Sequence, residues 1–450
     1  MNRPRIATVA ASLGWVLAAT WVQLMRRPGL RVYDVVWAED GGVFLNQAMR
    51  HSLWHNVVTP HAGYLQVVAK LVVQPVAALP LSWAAAGLAT GAALVVALIS
   101  LLVWFRSGAV LRSTWARVLV TAIVPLLPQA GFEVNAAVND LHWYLAYAAF
   151  WVLLAPPRSV RGQAGAAAVV ALAALSDPLT ALVLPAAIVG IVRAQRRRIA
   201  CIAPAVMVVA LAVQGWVHLT RAAGYRASET VWGELPSIYG LRVLLSAVTG
   251  DRLLGPVYRS FGLAPVAVAG VVVALAVAAL LWRAERVARQ VVAVSLVCSV
   301  AYLVVSVGLR GTGGFLDRAE FSLNGSRYAI VPLLLVWVAV AALLDRLRPR
   351  AVVGGVVAVF LGVQVLSDWG AAGVRAGGPS WRASVAAARS ACAAPARAPQ
   401  PAPLVAEEDG PYAAPITPGP DDVTIIVAPE PPAGEPLLFA VVAPCAELRG

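Results

Sequence analysis

The chain has 450 residues, of which 60% are hydrophobic and only 13% charged, and its mean hydropathy is +0.77. This composition excludes a water-soluble globular protein. The formal charge of +13 raises the question of nucleic-acid binding, but the basic residues form short clusters between apolar runs of membrane-spanning length. The sequence therefore predicts an all-α polytopic protein of the cell membrane, with the lipid bilayer as a partner and no nucleic-acid partner.

Apolar runs of about 20 residues cross a bilayer as helices, and shorter runs fit inside a bundle. We predict eleven spans, at residues 6–25, 83–105, 117–131, 138–155, 164–176, 178–193, 199–219, 263–282, 290–309, 328–345 and 351–369. The apolar run at 64–79 is ambiguous, because a span there would move Arg106, Arg112 and Arg117 to the outer face. We expect it to lie in the outer leaflet.

Arginine placement predicts the orientation. With a cytoplasmic N-terminus, the inner loops carry 17 of the 35 basic residues and only two of the 22 acids, Glu285 and Asp345. Basic loops stay in the cytoplasm, so this orientation is favoured strongly over its reverse. The first span, which follows Arg3 and Arg5, is interpreted as an uncleaved anchor rather than a signal peptide.

Composition also divides the chain. Residues 1–369 form the transmembrane domain, in which 26–82 make a first outer loop with membrane-parallel helices, and residues 370–450 form a small exported tail rich in Pro and Ala. Strand-like runs at 423–427 and 437–442 predict a hairpin in the tail.

Two cysteines, Cys392 and Cys445, lie one at each end of this tail. The predicted topology places them in an oxidising compartment, where disulfides form and persist. A disulfide is therefore favoured over two free thiols.

Most of the polar chemistry lies on the predicted outer face, which holds all five histidines and 20 of the 22 acids. The first outer loop carries Asp34, Glu39 and Asp40. Carboxylates beside a membrane can act as a general base, since apolar surroundings and a nearby like charge raise a carboxyl pKa. They can equally hold a divalent metal, or Asp40 can simply cap the helix that follows Gly41 and Gly42.

Histidines add to this loop. His51 and His55 are four residues apart and share one helix face, but the spacing fixes no third metal ligand, so membrane anchoring is favoured over zinc binding. His61 lies at the entrance of the outer-leaflet helix and is a candidate for substrate binding.

Further polar groups begin or interrupt spans. Asn139, Asp140 and His142 open the fourth span, and Asp177 separates the two short spans five and six. Such groups are costly in a membrane unless they line a cavity or pair with one another. We predict that these four residues bind substrate; the alternative is that they cap helices.

The outer loop before span ten is rich in Gly and Arg. Arg327 lies at the membrane boundary, where a lipid phosphate would lie, and Tyr328 follows it. Both are predicted to bind substrate, although arginines at span ends also snorkel for structural reasons. The sequence contains no Walker loop, zinc-binding His-Glu-x-x-His motif, nucleophile elbow or dinucleotide fingerprint, which argues against cytosolic nucleotide chemistry.

The chain resembles the GT-C superfamily of membrane glycosyltransferases, particularly bacterial members that use polyprenyl-phosphate sugars. The resemblance rests on the segment Trp37-Ala38-Glu39-Asp40-Gly41, on Ser326-Arg327-Tyr328, and on the layout of residues 1–369. That layout combines a cytoplasmic N-terminus, a long acidic first outer loop, many short spans and an exported tail.

The resemblance implies an inverting transfer of sugar from a polyprenyl-phosphate donor to an envelope glycan or glycolipid acceptor on the outer face. It implies that an acid of the first outer loop is the catalytic base, with Asp40 first, Glu39 second and Asp34 third. It also implies that Arg327 meets the departing phosphate. No cofactor is assigned, and a divalent metal remains an alternative.

Two other classes stay open. A transporter or flippase of lipid-linked sugars also needs a polar cavity, but should show charges within its spans and repeat symmetry. A non-catalytic envelope assembly protein explains the tail but not the concentration of acids and histidines on one loop. Convergence of Asp40, Asp177 and Arg327 on one outward site would favour the enzyme.

Overall fold

The structure, a computed structural model, describes residues 3–26, 29, 31–221, 229–319, 321, 325–369, 374–394, 418–430 and 437–448. The α-helices are α1 (Arg3–Met25), α2 (Asn46–Arg50), α3 (Leu53–Val58), α4 (Val67–Ala77), α5 (Ala84–Ser107), α6 (Thr114–Leu126), α7 (Leu141–Leu154), α8 (Val160–Ala174), α9 (Pro185–Arg193), α10 (Arg197–Ala200), α11 (Ile202–Arg221), α12 (Leu235–Tyr239), α13 (Ser246–Phe261), α14 (Ala264–Arg283), α15 (Arg286–Arg310), α16 (Ile330–Leu344), α17 (Arg350–Trp369), α18 (Trp381–Ala393) and α19 (Cys445–Leu448). The strands are β1 (Asp422–Ile426) and β2 (Ala440–Pro444). Short 3-10 or π-helical turns lie at Val32–Asp34, Asp40–Leu45, Leu81–Trp83, Pro128–Gly131, Pro178–Val183, Trp232–Glu234, Gly240–Leu245, Ser326–Ala329 and Val374–Gly377.

Long apolar helices dominate the fold and confirm the predicted all-α membrane class. Among the described residues, six helices are long and apolar enough to cross a membrane, and a bent pair, Trp232–Phe261 with Ala264–Leu275, would make a seventh. Every predicted span contains a helix. The helices found at predicted spans three to six are shorter than a full crossing requires.

The core of the bundle is formed by α7 and α16. Every residue of α7 is buried, and α16 is enclosed along most of its length, whereas α1 and α17 are largely exposed. A helix that is apolar on all sides belongs in a bundle interior. The predicted polar residues Asn139, Asp140, His142 and Arg327 lie at the N-terminal ends of these two helices.

The run at 64–79 forms α4, which has only 11 residues. At 1.5 Å per residue an 11-residue helix rises about 16 Å, roughly half the hydrocarbon thickness. Lys70 lies on α4 and donates from Nζ to the carbonyl of Thr59. The segment therefore forms one of the shorter apolar helices, like those at predicted spans four to six.

The region before α14 contains helices that hydropathy missed. The chain turns at Gly250, whose φ of +70° is favourable only for glycine, and continues to Phe261. The carboxylate of Asp368, on α17, accepts the backbone N–H groups of Asp251 at 2.7 Å and Arg252 at 3.1 Å. A local sequence pattern cannot predict a helix cap that a residue of another helix supplies.

The tail folds as a hairpin with a helix. Strands β1 and β2 pair antiparallel, close to the predicted runs. Cys392 on α18 is bonded to Cys445 at the start of α19, with their Cα atoms 5.6 Å apart. The buried stripe of α18 includes Trp381 and Val385, and Trp381 Nε1 donates to the Leu81 carbonyl at 2.7 Å, which ties the tail to the turn before α5.

This tail packs on the first outer loop. Ala38 N–H donates to the carbonyl of Ala428 at 2.5 Å, and Asn46 bonds β2 twice, donating to Ala440 O and accepting from Val442 N–H. A Cβ at Gly42 would lie 3.0 Å from the Phe439 ring, so the glycine permits this close approach. The tail therefore forms one wall around the acidic loop.

Candidate functional site

The segment that joins α6 to α7, residues 127–140, organises the site. Asp40 binds it with both carboxylate oxygens: Oδ2 accepts Val138 N–H at 3.0 Å and Oδ1 accepts Asn139 N–H at 2.7 Å. Asp40 is 1% exposed. The first outer loop and the α6–α7 segment are thereby fixed against each other.

Burial raises the pKa of Asp40 to about 6, and it outweighs the opposing effects of the Arg375 charge and of the two amide bonds. A pKa near 6 suits a general base, and each carboxylate oxygen keeps acceptor capacity beyond its one backbone N–H bond. The burial of Asp40 and its two amide bonds nevertheless favour a positioning role over the catalytic role that the family resemblance ranked first.

Glu39 differs from its neighbour. It is half-buried, and its carboxylate accepts no hydrogen bond from the described residues. Its charge acts on both Asp140 and Arg327. A carboxylate that is partly exposed and unoccupied is better suited to receive a proton from a substrate.

Arg327 lies opposite, in the 3-10 turn that opens α16. This turn follows Gly325, whose φ is +84°. Arg327 Nη1 is 3.4 Å from Glu133 Oε2, and Glu133, Asp140 and Glu39 all act on its charge. We call Glu39, Glu133, Asp140 and Arg327 the acidic cluster: Glu133 contacts the guanidinium, and the charges of Asp140 and Glu39 act on it.

Glu133 was not selected from the sequence. Its side chain is only 4% exposed, and Oε1 has no hydrogen-bond partner among the described residues. Asp140 Oδ1 accepts from Trp143 Nε1 at 3.1 Å. Glu133 lies seven residues before Asp140 in the same segment, and that proximity was the available sequence signal.

Aromatic rings line one side of the acidic cluster. Trp143 makes edge contacts with Tyr302 and Tyr328, with ring centroids 5.9 Å and 5.6 Å apart, and its neighbour His142 lies 6.4 Å from Tyr64. Binding sites for small molecules typically combine such rings with a few convergent polar groups. Tyr64 and Tyr302 were missed because single tyrosines in apolar runs carry no spacing signal.

Asp177 joins this wall indirectly. It caps the 3-10 turn Pro178–Val183 by accepting Leu179 N–H at 2.8 Å, and its other oxygen accepts Tyr302 OH at 2.9 Å. His142 Nδ1 bonds the carbonyl of Asn139 at 2.7 Å. The predicted residues Asn139, His142 and Asp177 thus position the aromatic side of the site.

The histidines of the first loop have different environments. His61 is buried against Phe44, with ring centroids 5.4 Å apart, and burial together with the Lys70 charge lowers its pKa to about 3. It is therefore neutral near pH 7. His51 and His55 are exposed, and their ring centroids are 4.3 Å apart. Within the described ranges, no group of three or more His, Cys, Asp or Glu residues is arranged to hold a metal ion.

Asp34 binds the tail rather than the acidic cluster. Its carboxylate accepts Ser380 Oγ at 2.8 Å and Arg382 N–H at 3.0 Å, at the start of α18. Both oxygens are occupied by this cap. We therefore leave Asp34 out of the site, although the resemblance ranked it third as a base.

Arg375 is a tail residue that the sequence did not single out. It is buried, donates from Nη1 to the Asn135 carbonyl at 3.0 Å, and lies 5.7 Å from the Trp37 ring centre. Burial lowers its pKa, while the charges of Asp40 and Asp140 act in the opposite direction. It supplies a positive charge behind the acids.

No protein-family model, curated protein or solved structure matches this chain. Its function is therefore inferred from the site alone.

Proposed function

We propose that the chain is an integral membrane glycosyltransferase that moves a sugar from a polyprenyl-phosphate donor to an envelope glycan or glycolipid, with inversion. The supporting observation is the acidic cluster, where the unoccupied Glu39 carboxylate lies in the electrostatic field of Arg327 beside an aromatic wall. A base, a phosphate-binding cation and sugar-sized aromatic surface are the parts that this reaction needs.

The mechanism uses two side chains. Glu39 accepts the proton of the acceptor hydroxyl, whose oxygen attacks the anomeric carbon. The bond from that carbon to the phosphate oxygen breaks, and Arg327 stabilises the charge that develops on the departing phosphate. We prefer Glu39 to Asp40 as the base, because each carboxylate oxygen of Asp40 already accepts a backbone N–H.

The orientation belongs to the same proposal. A cytoplasmic N-terminus with eleven crossings places the acidic cluster outside and the arginine-rich loops inside. Alkaline phosphatase fused after Gly450 should be active, and phosphatase fused after Arg197 inactive. The reverse pattern would place the cluster in the cytoplasm and overturn the proposal.

Purified protein tests the donor step. Arg327→Ala should reduce transfer of labelled sugar from a polyprenyl-phosphate donor and weaken donor use more than acceptor use. Arg327→Lys should restore only part of it, since a point charge replaces a two-pronged guanidinium. Arg318→Ala is the matched control, because Arg318 lies exposed on the same loop and, among the described residues, donates to the carbonyls of Arg259 and Ser260.

Two results would count against the enzyme. Equal losses of donor and acceptor use in Arg327→Ala would indicate a folding role for this arginine. Movement of the lipid-linked sugar across proteoliposomes, without transfer to any acceptor, would favour the flippase alternative.

A further inference from the structure

A cavity with arginines at its rim lies at the opposite, arginine-rich end of the bundle. It has a volume of about 580 Å³ and lies between the first turn of α6 and the first half of α17. Arg112 and Trp115 line one side, and Arg350, Gly354 and Gly355 line the other. None of these residues belongs to the acidic cluster.

The mouth of this cavity is built to receive an anion. Both α6 and α17 begin here, and the N-terminal end of a helix carries partial positive charge. Trp115 Nε1 and Arg350 Nε are shielded from water and have no hydrogen-bond partner among the described residues. Buried donors are rarely left unpaired, because losing their hydration without replacement is costly.

The acids nearby offset part of this charge. Asp345 accepts Arg112 N–H at 2.9 Å and Ser113 N–H at 2.7 Å. Glu285 is shared between the guanidinium groups of Arg112 and Arg346, at 3.2 Å and 2.6 Å. Arg112, Arg346 and Arg350 against Asp345 and Glu285 leave one net positive charge, and Arg350 forms no ion pair with a described acid.

The inner part of the cavity is apolar and narrow. A Cβ at Gly354 would lie 2.9 Å from Trp115 Cγ, so α17 packs tightly there, whereas a Cβ at Gly355 would meet nothing within 4 Å. Ala358 continues this lining one turn further along. Val352, Val356, Val359 and Val363 of α17 are exposed, as expected of a helix that faces lipid.

From these features we propose that this cavity binds one anionic glycerophospholipid of the bilayer. The headgroup phosphate lies between Arg112 and Arg350 and accepts from the Trp115 indole, and one acyl chain follows the groove past Gly355 and Ala358. Basic pockets between membrane helices on the cytoplasmic side bind acidic lipid headgroups in this way.

The test is a titration of the purified full chain in neutral detergent micelles, with bound lipid counted by native mass spectrometry. Dioleoylphosphatidylglycerol should bind as one retained molecule, and dioleoylphosphatidylcholine much more weakly. Arg350→Gln should raise the Kd for phosphatidylglycerol about tenfold, the effect of one lost charge-assisted bond. Arg348→Gln is the control, since Arg348 is exposed two residues away and does not line the cavity.

A second variant keeps the proposal testable if Arg350→Gln does not fold. Gly355→Leu removes no charge and fills the open groove, so it should also raise the Kd for phosphatidylglycerol. Unchanged Kd values in both variants would overturn the proposal. So would equal binding of phosphatidylcholine, or protection of the melting temperature by inorganic phosphate alone to the extent that the lipid gives.

Discussion

The two ends of the bundle use acidic residues in different ways. At the arginine-rich end, Asp345 accepts two backbone N–H groups and the Ser113 hydroxyl, and Glu285 bridges two arginines. At the other end, Glu133 contacts Arg327, the charges of Asp140 and Glu39 act on the same guanidinium, and Glu39 accepts no hydrogen bond from the described residues.

This difference distinguishes acids that stabilise the fold from acids that can act on a ligand. Buried acids that serve folding have their hydrogen-bonding capacity satisfied, because an unsatisfied buried polar group is costly. A concentration of under-satisfied acids is therefore a reason to expect a ligand. On this criterion Asp345 and Asp40 are structural, while Glu133, whose buried Oε1 has no partner among the described residues, points to a ligand. Glu39 is half-buried and can be hydrated, so its proposed role rests on its accessibility.

The largest expected effect is on Glu39. Glu39→Gln keeps the size of the side chain but cannot take a proton, so sugar transfer should fall by about 10² to 10⁴ while the melting temperature stays near that of the parent. Glu447→Gln, which alters an exposed acid of the tail, should leave transfer unchanged. Full activity in Glu39→Gln would contradict the functional role that we propose for Glu39 and would remove its difference from Asp40.

The next effect concerns the structural end. Asp345→Ala leaves two backbone N–H groups and the Ser113 hydroxyl without their acceptor at the start of α6. The free energy of unfolding should fall by about 3 kcal/mol. Thermal unfolding in detergent measures this loss, and Asp345→Asn should lose less because one oxygen acceptor remains. A silent Asp345→Ala would show that this cap is dispensable.

Asp40 should behave like Asp345, with a smaller effect. Asp40→Ala leaves the N–H groups of Val138 and Asn139 unpaired, which costs about 1–3 kcal/mol of stability. Asp40→Asn retains one acceptor oxygen and should keep more transfer activity than Glu39→Gln. If Asp40→Asn instead abolishes transfer in a protein that melts normally, Asp40 is the base.

The same residue makes a pH prediction. The pKa of Asp40 is about 6 in the folded chain against an ordinary 3.8, so the folded state holds this proton more tightly than the unfolded state. Its contribution to stability is therefore full below about pH 4, declines as pH rises to about 6, and is constant above. Melting curves of Asp40→Asn should lack this decline.

The smallest effect is expected at Glu285. Its side chain is 53% exposed, and solvent screens exposed ion pairs. Glu285→Gln should change the free energy of unfolding by less than about 1 kcal/mol. A loss as large as that of Asp345→Ala would mean that the bridge between Arg112 and Arg346 holds α6 and α15 together.

Local patterns predicted much of the fold. Each predicted span contains a helix, because an apolar run in a membrane must satisfy its own backbone hydrogen bonds. The helices after Trp232 were missed, since α13 is too polar for a hydropathy signal and is broken at the Gly250 turn. The tail hairpin was found within a few residues, since alternating β-branched residues mark strands.

The sequence by itself determined the helical membrane class, the placement of the helices and the concentration of acids in one loop. Only the tertiary structure decided which acid is available. Asp40 is bound to amides 98 and 99 residues away, and Asp34 to a hydroxyl 346 residues away. Contacts of that separation depend on how the helices and the tail pack, and no local pattern encodes them.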